Sequence, residues 1–256
     1  MTSCPRAIRG TACPRATRGT ARAAAVSLPV TIEATGTIAA RFLDFVADPT
    51  FPCVGSKAAL ARGAIETCEF GRLGDRGNDV ALLESLAAFA RRVDAMDPGD
   101  STIHSFVALF DGPPDTDERR FEALLWSQLQ RLREVDVRRG TPWAADVSRD
   151  PDDPRFSLSL AGHPFFVIGL HPGASRLARR FEWPALVFNS HRQFERLRAD
   201  GRYPKMQAAT RARDIALQGS INPNLADFGT AAETRQYSGR AVDDGWTCPF
   251  RVRSRA

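Results

Sequence analysis

No stretch of this chain approaches the roughly 20 consecutive apolar residues that a membrane-spanning helix needs, so no membrane partner is expected. Lysine is almost missing. Of 35 basic residues only Lys57 and Lys205 are lysine, which reads as codon bias before it reads as recognition. Four histidines and five cysteines, with no CxxC, no HExxH and no two-histidine-one-carboxylate spacing, exclude the usual zinc and non-heme iron signatures. A GxSxG elbow and a Walker loop are missing too, which removes the standard serine-hydrolase and phosphate-cradling readings. The glycines of "GRLGDRG" (71–77) lack the strand-to-helix context of a dinucleotide fingerprint.

Acidic residues are absent from residues 1–25, which hold Arg6, Arg9, Arg15, Arg18 and Arg22. That segment carries 5 − 0 = +5, the whole formal net charge, and leaves the rest of the chain balanced. A balanced body argues against a nucleic-acid partner. In the same segment "SCPRAIRGT" (3–11) is followed by "ACPRATRGT" (12–20). A short repeat of Pro, Gly, Thr and Arg cannot bury a core, so 1–25 is predicted to be a disordered Arg-rich tail and 26–256 a single domain. The acid-free start resembles a transit peptide, although an upstream start codon or a repeat expansion is the plainer account. Cys53, Cys68 and Cys248 belong to the body without the spacing of a disulfide framework, and a reducing cytoplasm is the expected location.

What is present is an alternation of helical and strand patterns. "IAARFLDFVA" (38–47) has helical spacing, and Ser56 is placed to cap a second helix through "KAALARGAIE" (57–66). Asn78 or Asp79 starts a long helix with Val80, Leu83, Leu86 and Phe89 or Ala90 inward. "STIHSFVALF" (101–110) reads as a strand, and Thr116 to about Arg138 as a helix. "HPFFVIGL" (163–170) and "PALVFN" (184–189) are short apolar runs suited to buried strands; the turn between them is too short for a crossover helix, so they pair antiparallel. Two helices follow, 190–201 capped by Ser190, and 203–220 with Met206, Ala209 and Ile215 inward. The expected fold is mixed α/β (α+β), one domain with a small, largely antiparallel sheet flanked by helices.

"FFVIGLHPGASRLARRF" (165–181) carries the most chemistry. Pro172 restricts His171 to extended angles at the end of a buried strand, which fixes the imidazole on a rigid element. A neutral imidazole so held suits heme iron, and Arg176, Arg179 and Arg180 suit the propionates. The plainer alternative is that His171 bonds a backbone carbonyl while the arginines pair with Glu182 and Glu195 or face water. His191, opening a helix after a strand, ranks second. His163 is expected at the surface and His104 at the core margin. Cys53, ahead of a helix start, is a candidate reactive thiol, and Cys248 in "WTCPF" a candidate heme thiolate; each is also an ordinary small apolar residue. The loops "NPNLADFG" and "ETRQYSGR" gather amides, carboxylates, an arginine and a phenol that suit either a polar pocket or a packed network.

Taken together, "FPCVGSKAAL", "FFVIGLHPGASRLARRF", "LVFNSHRQFERLR", "RARDIALQGSINPNLADFG" and "ETRQYSGRAVDDGWTCPF" resemble the YqcI/YcgG family, from about Phe42 to Phe250. "NPNL" and "AAETRQ" depart locally from its pattern and bear on the substrate rather than the fold. Members with assigned roles resemble heme-dependent oxygenases that hydroxylate guanidino nitrogens, as in N-hydroxyarginine formation for cycloserine and in guanitoxin biosynthesis. The resemblance implies a heme b oxygenase that draws electrons from a separate reductase and acts on a small guanidino or amine substrate. It implies His171 as axial ligand, with His191 and Cys248 behind it, and a catalytic set of His171, His191 and Tyr237. Arg176, Arg179, Arg180, Cys53 and Cys248 would then surround the cofactor, and Asp214, Asn222, Asp227, Glu233, Arg235 and Gln236 the substrate. A heme carrier or sensor without turnover, a hydrolase acting through Cys53 and a small-molecule binding protein are the competing readings.

Overall fold

The computed structural model describes residues 36–97, 99–225 and 230–252; the tail at 1–25 and the candidate Asp227 lie outside the described residues. Five strands form one sheet in the order β1-β2-β5-β4-β3: β1 Ile65–Phe70, β2 Ser105–Phe110, β3 Leu158–Leu160, β4 His163–Leu170 and β5 Ala185–Ser190. β1 is parallel to β2, and the other neighbours are antiparallel. The expected pairing of the two apolar runs is present, from Phe165↔Ser190 to Leu170↔Ala185. The described helices are α1 Ile38–Ala47, α2 Val54–Ala61, α3 Asp79–Asp94, α4 Glu118–Arg138, α5 His191–Ala199 and α6 Tyr203–Gln218. The fold is thus an α+β domain with a mostly antiparallel sheet.

Side chains alternate across a strand, so each apolar run serves two faces. Phe106, Ala108 and Phe110 of β2, Phe165 and Val167 of β4, and Leu186 and Phe188 of β5 pack into the main core with α3 and α4. Val107, Leu109, Leu170 and Ala185 turn the other way and meet Phe42 and Val46 of α1. Continuous hydrophobicity in β2 and β4 therefore reflects burial on both faces.

Several local expectations need correction. Residues 65–70 are not the end of a helix: Gly63, at φ +64°, stops the chain after α2, and β1 pairs with β2. β3 was unassigned, because three residues carry too little periodicity. α2 is capped by Cys53, whose Sγ accepts from the Ser56 N–H at 3.4 Å, so Ser56 lies inside the first turn. Ser190 makes no capping bond through its hydroxyl, which contacts His163 Nε2 at 2.8 Å instead, and His163, expected at the surface, is buried. Val80 and Ile215, expected inward, are 48% and 45% exposed. Leu82 and Leu83 fill the core side of α3, and α6 turns Tyr203, Met206, Thr210 and Asp214 inward.

One glycine sets how closely α4 approaches the sheet. A Cβ on Gly169 would lie 2.5 Å from Cε1 of Phe121 and 2.9 Å from Cδ1 of Leu125, both on α4. Overpacking of this kind costs about 1–3 kcal/mol. Gly169→Ala is expected to lower unfolding free energy by about that amount in chemical denaturation, with an unchanged denaturant slope.

Candidate active site

The main cavity lies on the face of the sheet opposite α4, roofed by α1, α2 and α6, and measures about 260 Å³. Its floor is apolar: Ile65, Val107, Phe166, Ile168 and Val187 from four strands. Phe42 and Val46 of α1 continue that surface. Polar groups line it from the strands, from α6 and from the turns around it. Cys53 stands at the start of α2, Arg176 and Arg179 come from the turn after β4, and Asp214 comes from α6. Asn222 and Gln236 line it too, and Asp214 is the one acidic side chain among the lining residues. A mostly apolar hollow with polar groups among its lining is the usual form of a small-molecule site.

The two arginines are held differently. Arg176 is buried and bonds Asp214 Oδ2 at 2.5 Å, Ser220 Oγ at 3.0 Å and the Ser220 carbonyl at 2.7 Å, so its charge is matched inside the protein. Arg179 donates to two backbone carbonyls, Gly169 at 3.0 Å and Gln236 at 3.2 Å. Among the described residues no carboxylate forms an ion pair with it. Desolvation lowers its pKa to about 10, and Cys53 lines the same cavity. A half-buried cation without an anion is costly, and an anionic guest would relieve it.

Of the residues singled out in the sequence, the cavity thus gathers Cys53, Arg176, Arg179, Asp214, Asn222 and Gln236. The others lie elsewhere. His171 follows Leu170 and points to the opposite face, where it stacks on Phe121 with ring centroids 4.3 Å apart and its Nδ1 lies 3.2 Å from the Thr116 carbonyl. Burial lowers its pKa, so it is a neutral imidazole bonded to a backbone group. The plainer alternative thus describes its setting, and His171 does not line the main cavity. Arg180 is exposed and donates to the Ala174 carbonyl at 2.8 Å. Arg235 donates to the Asp243 carbonyl and lies over the Trp246 ring at 5.8 Å. Cys248 is buried on the α4 side of the sheet, where desolvation pushes its thiol up to about 12.

His191, Glu233 and Tyr237 form a separate buried cluster. His191 has Nε2 at 3.3 Å from Glu195 and Nδ1 at 3.9 Å from Glu233, whose Oε1 meets the Tyr237 hydroxyl. Beside it, Ser190 Oγ, His163 Nε2 and Asp94 line up at 2.8 and 3.1 Å, the order of a hydrolytic triad. Ser190 is fully buried and none of the three lines the cavity, so this row braces the β5–α5 corner. Among the described residues no group of three or more His, Cys, Asp and Glu side chains is arranged to hold a metal ion.

The residues that sequence reasoning missed belong mainly to α6: Tyr203, Met206, Gln207, Thr210 and Arg211 line the cavity. The available signal was that this helix is weakly amphipathic, since its inward side faces a hollow rather than a core. A family model described as the YqcI/YcgG family matches residues 42–251, which takes in every cavity residue named above. No curated protein and no solved structure matches the chain.

The different settings of the two free thiols among the described residues, Cys53 and Cys248, are testable. With iodoacetamide at pH 8 followed by peptide mass spectrometry, Cys53, half-exposed at the cavity, is expected to be alkylated in the folded protein. Cys248 is expected to react only after denaturation, because the thiolate is the nucleophile and burial suppresses it.

Proposed function

We propose, since this chain belongs to the YqcI/YcgG family and its cavity is lined by a thiol and a half-buried arginine, that it is a heme-dependent oxygenase hydroxylating a nitrogen of a small guanidino or amino-acid-like substrate. The observation that carries this reading is that Cys53 and Arg179 line one apolar hollow.

The residues present suit a heme b in donor chemistry. Cys53 would supply a thiolate ligand, at a helix start whose Ser56 N–H bonds the sulfur, and the Met206 thioether lines the same cavity. Arg179, with no carboxylate on it, is a receptor for a propionate, and Arg176 stands on the same side. On this reading the ligand role falls to Cys53 rather than to His171, His191 or Cys248, none of which lines the cavity. Heme, when bound, supplies oxygen activation with electrons from a separate reductase.

The chain's own groups do the rest. The apolar floor excludes water from the reacting nitrogen. Asp214, held by Arg176, presents the carboxylate nearest to a guanidinium or ammonium, and Gln207, Thr210 and Asn222 offer neutral hydrogen bonds that fix its orientation. A cavity of about 260 Å³ favours one second reading, because it is near the lower end of small-ligand sites, about 300–1,000 Å³. In that reading the cavity takes a small carboxylate-bearing amine directly, with the carboxylate on Arg179 and no cofactor.

The two readings separate in a spectrum. Protein purified from cells supplied with a heme precursor is expected to show a Soret band that moves on reduction and on CO binding. Cys53→Ala is expected to lose or displace the band, His171→Ala to keep it, and Arg179→Gln to weaken heme affinity about 10- to 100-fold, the range of one charge-assisted bond. A colourless wild type that binds arginine-like amino acids in calorimetry would leave the second reading.

A further inference from the structure

We propose that Glu233 is a positioning residue: in its protonated form it latches the segment 233–240 onto the edge of β4, which holds Arg179 at the cavity, and on ionisation it releases that segment. The proposal rests on the reading of the cavity only for its consequence there; the latch itself is argued from contacts on the far side.

Hydrogen-bond counting around Tyr237 gives the protonation state. Its hydroxyl is fully buried between strands β3 and β4, 3.4 Å from the Leu158 N–H and 3.1 Å from the Phe165 carbonyl, and it also touches Glu233 Oε1. Leu158 and Phe165 are a register pair, so the phenol bridges a rung of the ladder. A phenol has one proton to donate and oxygen lone pairs to accept with. All three contacts are satisfied at once only if the hydroxyl donates to Phe165 and accepts from Leu158 and from a Glu233 that carries its own proton. An ionised Glu233 would take the phenolic proton for itself and leave the Phe165 carbonyl short of a donor.

The surroundings agree with a neutral acid. Desolvation raises the pKa of Glu233 to about 8, above its ordinary carboxylate value. The titratable groups that face it are Tyr237 on its own turn, and Arg198 and His191 on α5. Behind His191 stand Glu195, Asp146 and His163, and Cys248 lies beside Tyr237. His191 is itself pushed towards its neutral form by burial, and Arg198, the charged group that faces Glu233 from α5, is paired with Glu195. His191 lies between Glu233 and the half-exposed Glu195, which gives the buried proton a route to solvent.

The segment is fixed to β4 at two points. One is the Tyr237 hydroxyl on Phe165. The other is the Tyr237 carbonyl, which accepts from the Gly169 N–H at 2.7 Å, while the Gly169 carbonyl and the Gln236 carbonyl both accept from Arg179. Loss of the first point leaves the segment joined to β4 by the Tyr237 carbonyl and Arg179, and loosens the Gln236 wall of the cavity. Its other ties, Thr234 to the Pro151 carbonyl and Ser238 and Arg240 to Glu122, lie off that strand. The sign follows from linkage: a carboxyl whose folded pKa is raised contributes stability at low pH that is lost as pH rises through about 8.

The test is hydrogen exchange of the ligand-free protein, read by mass spectrometry and corrected for intrinsic rates. Protection over 233–240 and at Gly169 is expected to fall about tenfold between pH 7 and pH 9 in the wild type, as a group of pKa about 8 requires. Glu233→Gln, whose amide donates at any pH, is expected to abolish that fall, and Tyr237→Phe to show reduced protection already at pH 7 with no further change. A wild type whose corrected protection is flat in pH, or an equal fall in Glu233→Gln, overturns the proposal. Should the variants not fold, infrared spectra of the wild type decide: a protonated-carboxyl band present at pH 7 and gone at pH 9 supports the latch, and its absence at pH 7 overturns it. No cofactor enters these measurements, so their outcome is independent of whether the protein binds heme.

Discussion

The site depends on one half-buried guanidinium. Arg179 reaches from the turn after β4, donates to Gly169 on that strand and to Gln236 on the C-terminal segment, and through its own carbonyl accepts from the His171 N–H. The end of β4, the turn after it and a segment 57 residues further on are tied at that point. A cation spent on backbone carbonyls is desolvated without being neutralised, and this makes the hollow receptive to an anion. Remove it and the cavity loses part of its wall and one of its positive charges.

The two faces of the sheet divide the labour. The face towards α3 and α4 is a dense aromatic core in which Trp126 stacks on Tyr237 with centroids 5.4 Å apart and Phe250 packs against Trp126, Trp143 and Phe156. The other face is only partly filled, by α1 and α2, and α6 roofs the remainder. Gly169 lets α4 press on the first face, and the hollow forms where the second is left uncovered. Polar groups beyond the ends of the strands are satisfied by neighbours, as in the row Ser190, His163 and Asp94, which has the spacing of a catalytic triad and no opening through which a substrate could reach it.

Much of this was legible in the chain. The apolar runs at 163–170 and 184–189 announced two buried strands, and the short turn between them their antiparallel pairing. Six of the residues singled out for chemistry do meet in one cavity. His171 faces away from that cavity for a definite reason. A histidine ending a buried strand is equally well placed to serve either face, and the face depends on counting alternation from a register that only pairing fixes. β1 was missed because "IETCEF" follows a helical pattern without a break other than Gly63, and its stability comes from β2 rather than from its own propensity.

By itself the sequence determined which segments are apolar with a period of two or of 3.6, and so the elements, the antiparallel pair and the family. It also determined which residues have the chemistry to act. The tertiary structure decided which of them act together. Cys53 and Arg179 are separated by more than a hundred residues and meet because α2 and the turn after β4 end over the same uncovered patch of sheet. His171 follows the cavity-lining Leu170 directly, yet faces away, since side chains alternate across a strand and one step along the chain changes the side of the sheet.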